Sequence, residues 1–149
     1  MKPDASSRLG RFATRHATSI TFIALVLCLT FWLGAPHIAA LYTTDLHVQA
    51  VATSLIVMVA VYHLGDAMQS ITVNALRGYK KSTVPMVIYT FTLWVPGLGG
   101  GIVLGLTDTF GPARGAPGFW LAAIASIWLV GGMMALYLNY TAKNQIHSP

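Results

Sequence analysis

The residue best suited to chemistry in this sequence is an aspartate inside a long apolar stretch. Asp66 is one of four acidic residues, and it lies within the run that extends from Leu46 to Leu76. If that run crosses a membrane, a carboxylate at its middle depth costs about 2.5–3.5 kcal/mol on insertion scales. A residue kept at that cost is a candidate for function.

A stripe of polar side chains accompanies Asp66. Successive residues of an α-helix are rotated by about 100°, so positions within about 60° of Asp66 share one face. That face holds Tyr62, His63, Gln69, Ser70 and Val73. Lipid would be a poor neighbour for these groups. We therefore predict that the stripe faces a bundle interior or a wet cavity, which His63, Gln69 and Ser70 could line.

Two chemistries suit an isolated carboxylate in a membrane. Removal from water raises its proton affinity, so it could take up and release a proton near neutral pH. Alternatively, its oxygens could bind a hard cation such as Na⁺ together with the Tyr62 hydroxyl and a nearby carbonyl. Either chemistry would couple an ion gradient to a conformational change. The remaining alternative is a structural aspartate that neighbouring donors satisfy.

Other chemistry-bearing residues give weaker indications. His63 could relay protons with Asp66, bind haem, or simply pack with a hydrogen bond, and haem is disfavoured because His37 and His47 fall near one membrane edge. No nucleophile–base pair, zinc-type Cys/His spacing or phosphate-binding loop is visible, so we predict neither an enzyme nor a bound cofactor. The only small ion expected is the coupling Na⁺ or H⁺, with no metal site beyond Na⁺ at Asp66.

The elements that must position these residues are membrane helices. Of the 149 residues, 55% are hydrophobic and 9% are charged, whereas soluble domains carry about 25% charged residues. Because about 20 apolar residues cross the hydrocarbon as a helix, we predict an all-α integral membrane fold.

A basic arm (1–17) and a tail (143–149) flank a transmembrane region (18–142) with spans at about 18–42, 46–76, 84–106 and 118–140. Pro36 is expected to bend the first span. Pro96 and the glycines after it, beginning with Gly97, are expected to kink the third span, to permit close helix contact or to line a substrate path.

The distribution of basic residues predicts the orientation. Four spans place both termini and the loop around Arg77, Lys80 and Lys81 on one side, and Arg114 is the one Lys or Arg on the other side. The positive-inside bias then puts both termini and that loop in the cytoplasm, in a multi-pass protein of the cell (inner) membrane. The net charge of +5 is therefore explained by topology, and no nucleic-acid partner is expected.

Several segments together resemble one transporter family. They are Ile38–Asp45, the tetrapeptide Asp66-Ala67-Met68-Gln69, Ala75-Leu76-Arg77-Gly78-Tyr79-Lys80, Pro85-Met86, the spaced residues Trp94, Gly97, Leu98, Gly101, Leu104 and Gly105, and Gly118-Phe119-Trp120-Leu121. This pattern resembles helices nine to twelve of NorM-type members of the MATE family. Its most specific part is the Leu-Arg-Gly-Tyr motif with an acid eleven residues before Arg77.

The resemblance implies part of the C-terminal six-helix lobe of a twelve-helix transporter. Such transporters export cationic or amphipathic drugs and xenobiotics by Na⁺- or H⁺-coupled antiport. The resemblance also implies that Asp66 and Tyr62 belong to a cation site, and that Arg77, Gly78, Tyr79, Pro96 and Gly97 are motif residues. The kink proline of the family's eleventh helix is replaced by Gly99.

The resemblance also leads us to expect a partial chain. The matched helices omit the N-terminal lobe and a glutamate of helices seven and eight, and this sequence has no glutamate. We therefore expect the partners to be the lipid bilayer, the exported small molecules, and either a missing lobe or further copies of the chain. Four-helix multidrug antiporters carry their acid in the first helix, unlike this chain. The alternative is a non-transporting or inactive four-helix subunit that needs a partner chain.

Overall fold

The computed structural model describes residues 5–146, with side-chain surroundings for 18–143. Its helices are α1 (Ala5–Tyr42), α2 (Leu46–Gly78), α3 (Thr83–Thr92), a π-helical segment (Leu93–Gly99), α4 (Gly100–Leu106) and α5 (Ala116–Ile146). We call the stretch from α3 to α4 the third span. The described residues form no strand apart from an isolated bridge between Thr109 and Gly111.

Four of the helical stretches are long and apolar enough to cross a membrane. They are Thr18–Tyr42, Leu46–Gly78, Thr83–Leu106 and Ala116–Lys143. Many of their large apolar side chains point outward, such as Leu33 and Leu136, which are 73% and 72% exposed. In water this exposure would be costly, whereas lipid is a suitable neighbour. The predicted all-α membrane fold is confirmed.

A capped turn joins α1 to α2. α1 begins at Ala5, inside the stretch predicted as a basic arm, and continues through Pro36 to Tyr42. The Asp45 carboxylate then accepts hydrogen bonds from the backbone N–H groups of His47, at 2.8 Å, and Val48, at 3.2 Å. The first N–H groups of a helix have no backbone carbonyl of the same helix to bond to. The Asp45 carboxylate supplies the missing acceptor and so fixes the start of α2.

The third span changes its hydrogen-bond pattern around Pro96. Residues Leu93–Gly99 are π-helical and Pro96 lies within them. Proline has no N–H, so it cannot donate the α-helical bond to the carbonyl of Thr92, and its ring crowds that carbonyl. A wider π turn accommodates this loss without ending the helix. The disturbance expected at Pro96 therefore takes the form of a π-helical segment.

The helices pack in an order that differs from their order along the chain. α2 packs between α1 and α5, and the third span packs against α5. A core of Leu76, Val130 and Met134 joins α2 to α5. Because α2 and the third span share α5 as a common neighbour but make few contacts with each other, a groove lies between them. We call it the α2–α3 groove.

Glycines allow the close contacts of α5. A Cβ added at Gly65 of α2 would lie 2.8 Å from Cγ2 of Ile127 and 3.1 Å from the Trp128 ring. On the third span, a Cβ at Gly101 or Gly105 would lie 2.6 Å from the Phe119 ring. Small residues at these positions let the helix backbones approach, which is how membrane helices gain packing energy.

Candidate functional site

Asp66 lies on the half-buried central part of α2. It follows the midpoint of the helix, Tyr62, by about one turn. At the preceding residue, Gly65, Ile127 and Trp128 of α5 pack closely against α2. The tight packing of α5 on one side of α2 leaves the Asp66 side free to turn toward the third span.

Tyr62 connects Asp66 to two other spans. Its ring meets the Trp120 ring of α5 edge-on, with centroids 5.9 Å apart and an interplanar angle of 85°. Its hydroxyl lies within electrostatic range of the Tyr89 hydroxyl of α3 and of the Asp66 carboxylate. Side chains from α2, α3 and α5 therefore converge where the predicted coupling residues lie.

The Asp66 carboxylate is not hydrogen-bonded within the described part of the chain, 18–143. No side chain or backbone N–H there donates to it, and no basic residue pairs with it. Tyr62 is its electrostatic neighbour.

The other residues of the predicted stripe are placed unequally. Gln69 lines a cavity of about 390 Å³ in the α2–α3 groove. His63 and Ser70 are half-buried but are not among that cavity's lining residues. The Ser70 hydroxyl lies 3.5 Å from Oε1 of Gln69, which is long for a hydrogen bond. Thus Gln69 and Val73 are the members of the predicted stripe that line this cavity, and Tyr62 and Asp66 precede Gln69 by about two turns and one turn of α2 without lining it.

The predicted Leu-Arg-Gly-Tyr motif forms the end of α2. The backbone N–H of Tyr79 bonds to the carbonyls of Arg77 and Leu76, and Lys80 adopts a left-handed conformation with φ 55°. A Cβ added at Gly78 would meet nothing within 4 Å. The described structure therefore gives Arg77 and Tyr79 a place in the helix end, whereas it shows no close contact that needs a glycine at 78.

Gly97 lies on the side of the third span that faces α5, and Pro96 directly precedes it in the π-helical segment. Gly97 is buried, and a Cβ there would lie 3.0 Å from Oγ of Ser126. The Ser126 hydroxyl is satisfied by the carbonyl of Ala122 at 2.8 Å. A second, largely apolar cavity of about 420 Å³ opens beside Gly97. It is lined by Leu93, Trp94, Gly97, Leu98, Phe119, Trp120 and Ala123.

Two relationships within the site were missed from sequence alone. Tyr89, which acts electrostatically on Tyr62, was not singled out at all. Trp120 was named as a motif residue, but its ring contact with Tyr62 was not predicted. Their importance depends on the packing of α3 and α5 around α2, which the periodicity of one helix does not give. The described residues also contain no group of three His, Cys, Asp or Glu side chains able to hold a metal ion.

These features define a helical membrane protein with a half-buried carboxylate, Asp66, in the central part of a membrane-spanning helix. Residues 6–102 match the family model described as MatE. The chain therefore belongs to the MatE family, and the resemblance identified from its motifs is confirmed.

The chain is also similar to named multidrug resistance proteins. It is 43% identical over 107 residues to the "Probable multidrug resistance protein NorM" of Chromobacterium violaceum, covering 72% of this chain and 23% of the relative. It is 37% identical over 145 residues to the "Multidrug resistance protein MdtK" of Yersinia enterocolitica, covering 91% of this chain and 32% of the relative. The chain thus spans about a quarter to a third of the length of these relatives.

Proposed function

We propose that this chain is part of a transporter that exports cationic or amphipathic compounds in exchange for Na⁺ or H⁺. Family membership and the names of the relatives, which are multidrug resistance proteins, support the class of activity. Asp66 is the coupling carboxylate of this proposal. Tyr62 assists it, and Gln69, with His63 and Ser70 beside it, lies along the path.

The observation that carries the proposal is the environment of Asp66. The carboxylate is half-buried in a membrane helix, lies near the Tyr62 hydroxyl, and receives no hydrogen bond from the residues the structure describes. A structural aspartate would be satisfied by neighbouring donors. An ion-coupling aspartate must instead exchange its proton or cation during each cycle, and an unsatisfied carboxylate is suited to that exchange.

Tyr62 has two roles in this proposal. Its hydroxyl oxygen can ligate Na⁺, and its O–H can donate to the carboxylate when no cation is bound. The edge-on contact with Trp120 restricts the tyrosine ring, so the hydroxyl stays near Asp66. Because α2, α3 and α5 all contribute to this cluster, a change in the charge of Asp66 can alter how these helices pack.

The orientation is part of the proposal. Both termini and the loop from Arg77 to Thr83 face the cytoplasm of a cell (inner) membrane, since that loop carries Lys80 and Lys81. The opposite loop, between α4 and α5, carries Arg114. With this orientation the α2–α3 groove is nearest the cytoplasm at its Arg77 end.

Efflux of a fluorescent cationic dye tests the proposal. Cells that express this chain should retain less dye than cells with empty vector, and Asp66→Asn at equal expression should return retention to the vector level. Asp108→Asn is the matched control, because Asp108 accepts one hydrogen bond from Ala113 in an exposed loop and an asparagine can do the same. Dye efflux by Asp66→Asn equal to that of the unaltered chain would refute the coupling role.

A non-transporting subunit that needs a partner chain is the second candidate. Two observations favour this second candidate. The chain matches only a quarter to a third of the length of its relatives, and the α2–α3 groove is open. If the chain is such a subunit, cells that express it alone should retain as much dye as cells with empty vector. Dye efflux should then appear only when a second chain is co-expressed.

A further inference from the structure

Apart from Gln69 and Tyr89, the residues that line the cavity in the α2–α3 groove have no part in the proposed ion-coupling role. Its polar lining is Gln69, Arg77, Ser82 and Tyr89, and its apolar lining is Val73, Pro85, Met86 and Met134. The volume of about 390 Å³ lies within the range of roughly 300–1,000 Å³ that is typical of small-molecule sites. The cavity is thus amphipathic and carries one fixed positive charge.

No acid among the residues that the structure describes compensates the charge of Arg77. Asp66 precedes it by eleven residues, which is about 16 Å along a helix axis. Asp45 and Asp108 lie in the loops at the other end of the four spans. In the described part of the chain, the hydrogen bond of Arg77 is to the neutral Asn74 amide, Nη1 to Oδ1, at 3.4 Å. The cavity therefore has an electrostatic preference for an anion.

Two further cations lie beside the cavity at the end of α2. The N–H of Lys81 bonds to the carbonyl of Leu76 at 3.1 Å, and that of Lys80 bonds to the carbonyl of Arg77 at 2.9 Å. The loop backbone is thereby held close to Arg77, with Tyr79 at 38% exposure beside it. Basic clusters at the end of a membrane helix attract anionic headgroups, and basic pockets between helices bind them.

We propose that this cavity binds one anionic phospholipid. The guanidinium of Arg77 holds the headgroup phosphate through two N–H groups, a geometry that arginine provides and lysine lacks. The Ser82 hydroxyl, which also lines the cavity, donates to a remaining phosphate oxygen. Val73 and Met86 contact the upper part of an acyl chain. The site is separate from Asp66, so it does not depend on the proposed transport activity.

Native mass spectrometry of the purified full chain in detergent tests this proposal. The chain is mixed with phosphatidylglycerol, with phosphatidylcholine, or with inorganic phosphate, and retained ligand is counted. We expect one phosphatidylglycerol to be retained in preference to phosphatidylcholine. Arg77→Gln should weaken that retention at least fivefold, the effect of about one interfacial cation, and Arg77→Lys should restore part of it. Arg114→Gln is the matched control, because it removes the same charge from an exposed loop at the other end of the spans.

A thermal unfolding series separates binding from folding. Phosphatidylglycerol should raise the unfolding midpoint of the unaltered chain and of Arg114→Gln but not that of Arg77→Gln, and Asp66→Asn should respond like the unaltered chain. Equal weakening by Arg77→Gln and Arg114→Gln would overturn the proposal, because it would indicate general surface attraction. Equal stabilisation by inorganic phosphate at the same concentration would also overturn it, because the acyl chain would then contribute nothing.

Discussion

Tyr62 on α2 and Trp120 on α5 form an edge-to-face aromatic pair, with ring centroids 5.9 Å apart and planes at 85°. The pair joins the start of α5 to the middle of α2, one turn before Asp66. The hydroxyl of the same tyrosine lies within electrostatic range of Asp66 and Tyr89. A movement of α5 that displaces the Tyr62 ring should therefore change the electrostatic environment of the Asp66 carboxylate.

A double-mutant cycle measures that pair. Tyr62→Leu and Trp120→Leu should each destabilise the chain, and the double variant should lose less than their sum. Edge-to-face pairs contribute about 0.5–1.5 kcal/mol beyond the area they bury, so we expect a coupling free energy of that size from denaturant unfolding in detergent. Strictly additive losses of unfolding free energy would mean that the rings do not interact in solution.

Two glycines of α5 should respond oppositely to alanine. A Cβ at Gly118 would lie 2.6 Å from the backbone carbonyl oxygen of Leu104 and 2.8 Å from Cα of Gly105, whereas a Cβ at Gly132 would meet nothing within 4 Å. Backbone cannot move aside as a side chain can, so Gly118→Ala should cost about 1–3 kcal/mol of unfolding free energy. Gly132→Ala, the matched control, should be neutral or stabilise by up to about 1 kcal/mol. Equal effects in thermal unfolding would contradict the packing of α4 on α5.

The cap at the start of α2 gives a third prediction. Asp45→Ala removes the acceptor for the N–H groups of His47 and Val48 and should lower the unfolding free energy by about 0.5–2 kcal/mol. Asp45→Asn keeps a side-chain oxygen and should recover most of that loss. Hydrogen exchange at the first turn of α2 should rise in the alanine variant alone. Unchanged exchange there would show that the cap does not hold the helix start.

The proposed orientation predicts which loop can be labelled from outside. In a Cys28→Ala background, Thr109→Cys places a thiol in the exposed loop before α5, and Ser82→Cys places one in the exposed loop after α2. An impermeant maleimide added to intact cells should label the first variant and spare the second until the cells are opened. The reverse pattern of labelling would contradict the assignment of the basic loop to the cytoplasm.

The sequence was sufficient for the kind of fold and for one face of α2. Charge scarcity and apolar runs predict four membrane helices, because lipid leaves the backbone few other ways to satisfy its hydrogen bonds. The spacing of Tyr62, Asp66 and Gln69 predicts a shared face, and in the structure Tyr62 lies near Asp66 while Gln69 lines the cavity of the α2–α3 groove. Helix periodicity alone is enough for that inference.

The rest depends on contacts between helices that lie far apart in sequence. Nothing in α2 indicates that α5, and not the third span, packs at Gly65. Consequently the roles of Tyr89 and Trp120 could not be inferred. Pro96 indicates a disturbance of the helix, but its residue type does not indicate whether the turn becomes kinked or π-helical.

The most direct test of the coupling role is ion-driven dye movement in proteoliposomes. The purified chain is reconstituted, a Na⁺ or an H⁺ gradient is imposed separately, and transport of a cationic dye is followed by fluorescence. We predict that one of the two gradients drives dye movement with the unaltered chain and with Asp108→Asn, and that Asp66→Asn abolishes it. Gradient-driven dye movement that persists in Asp66→Asn would contradict the assignment of this carboxylate as the coupling residue.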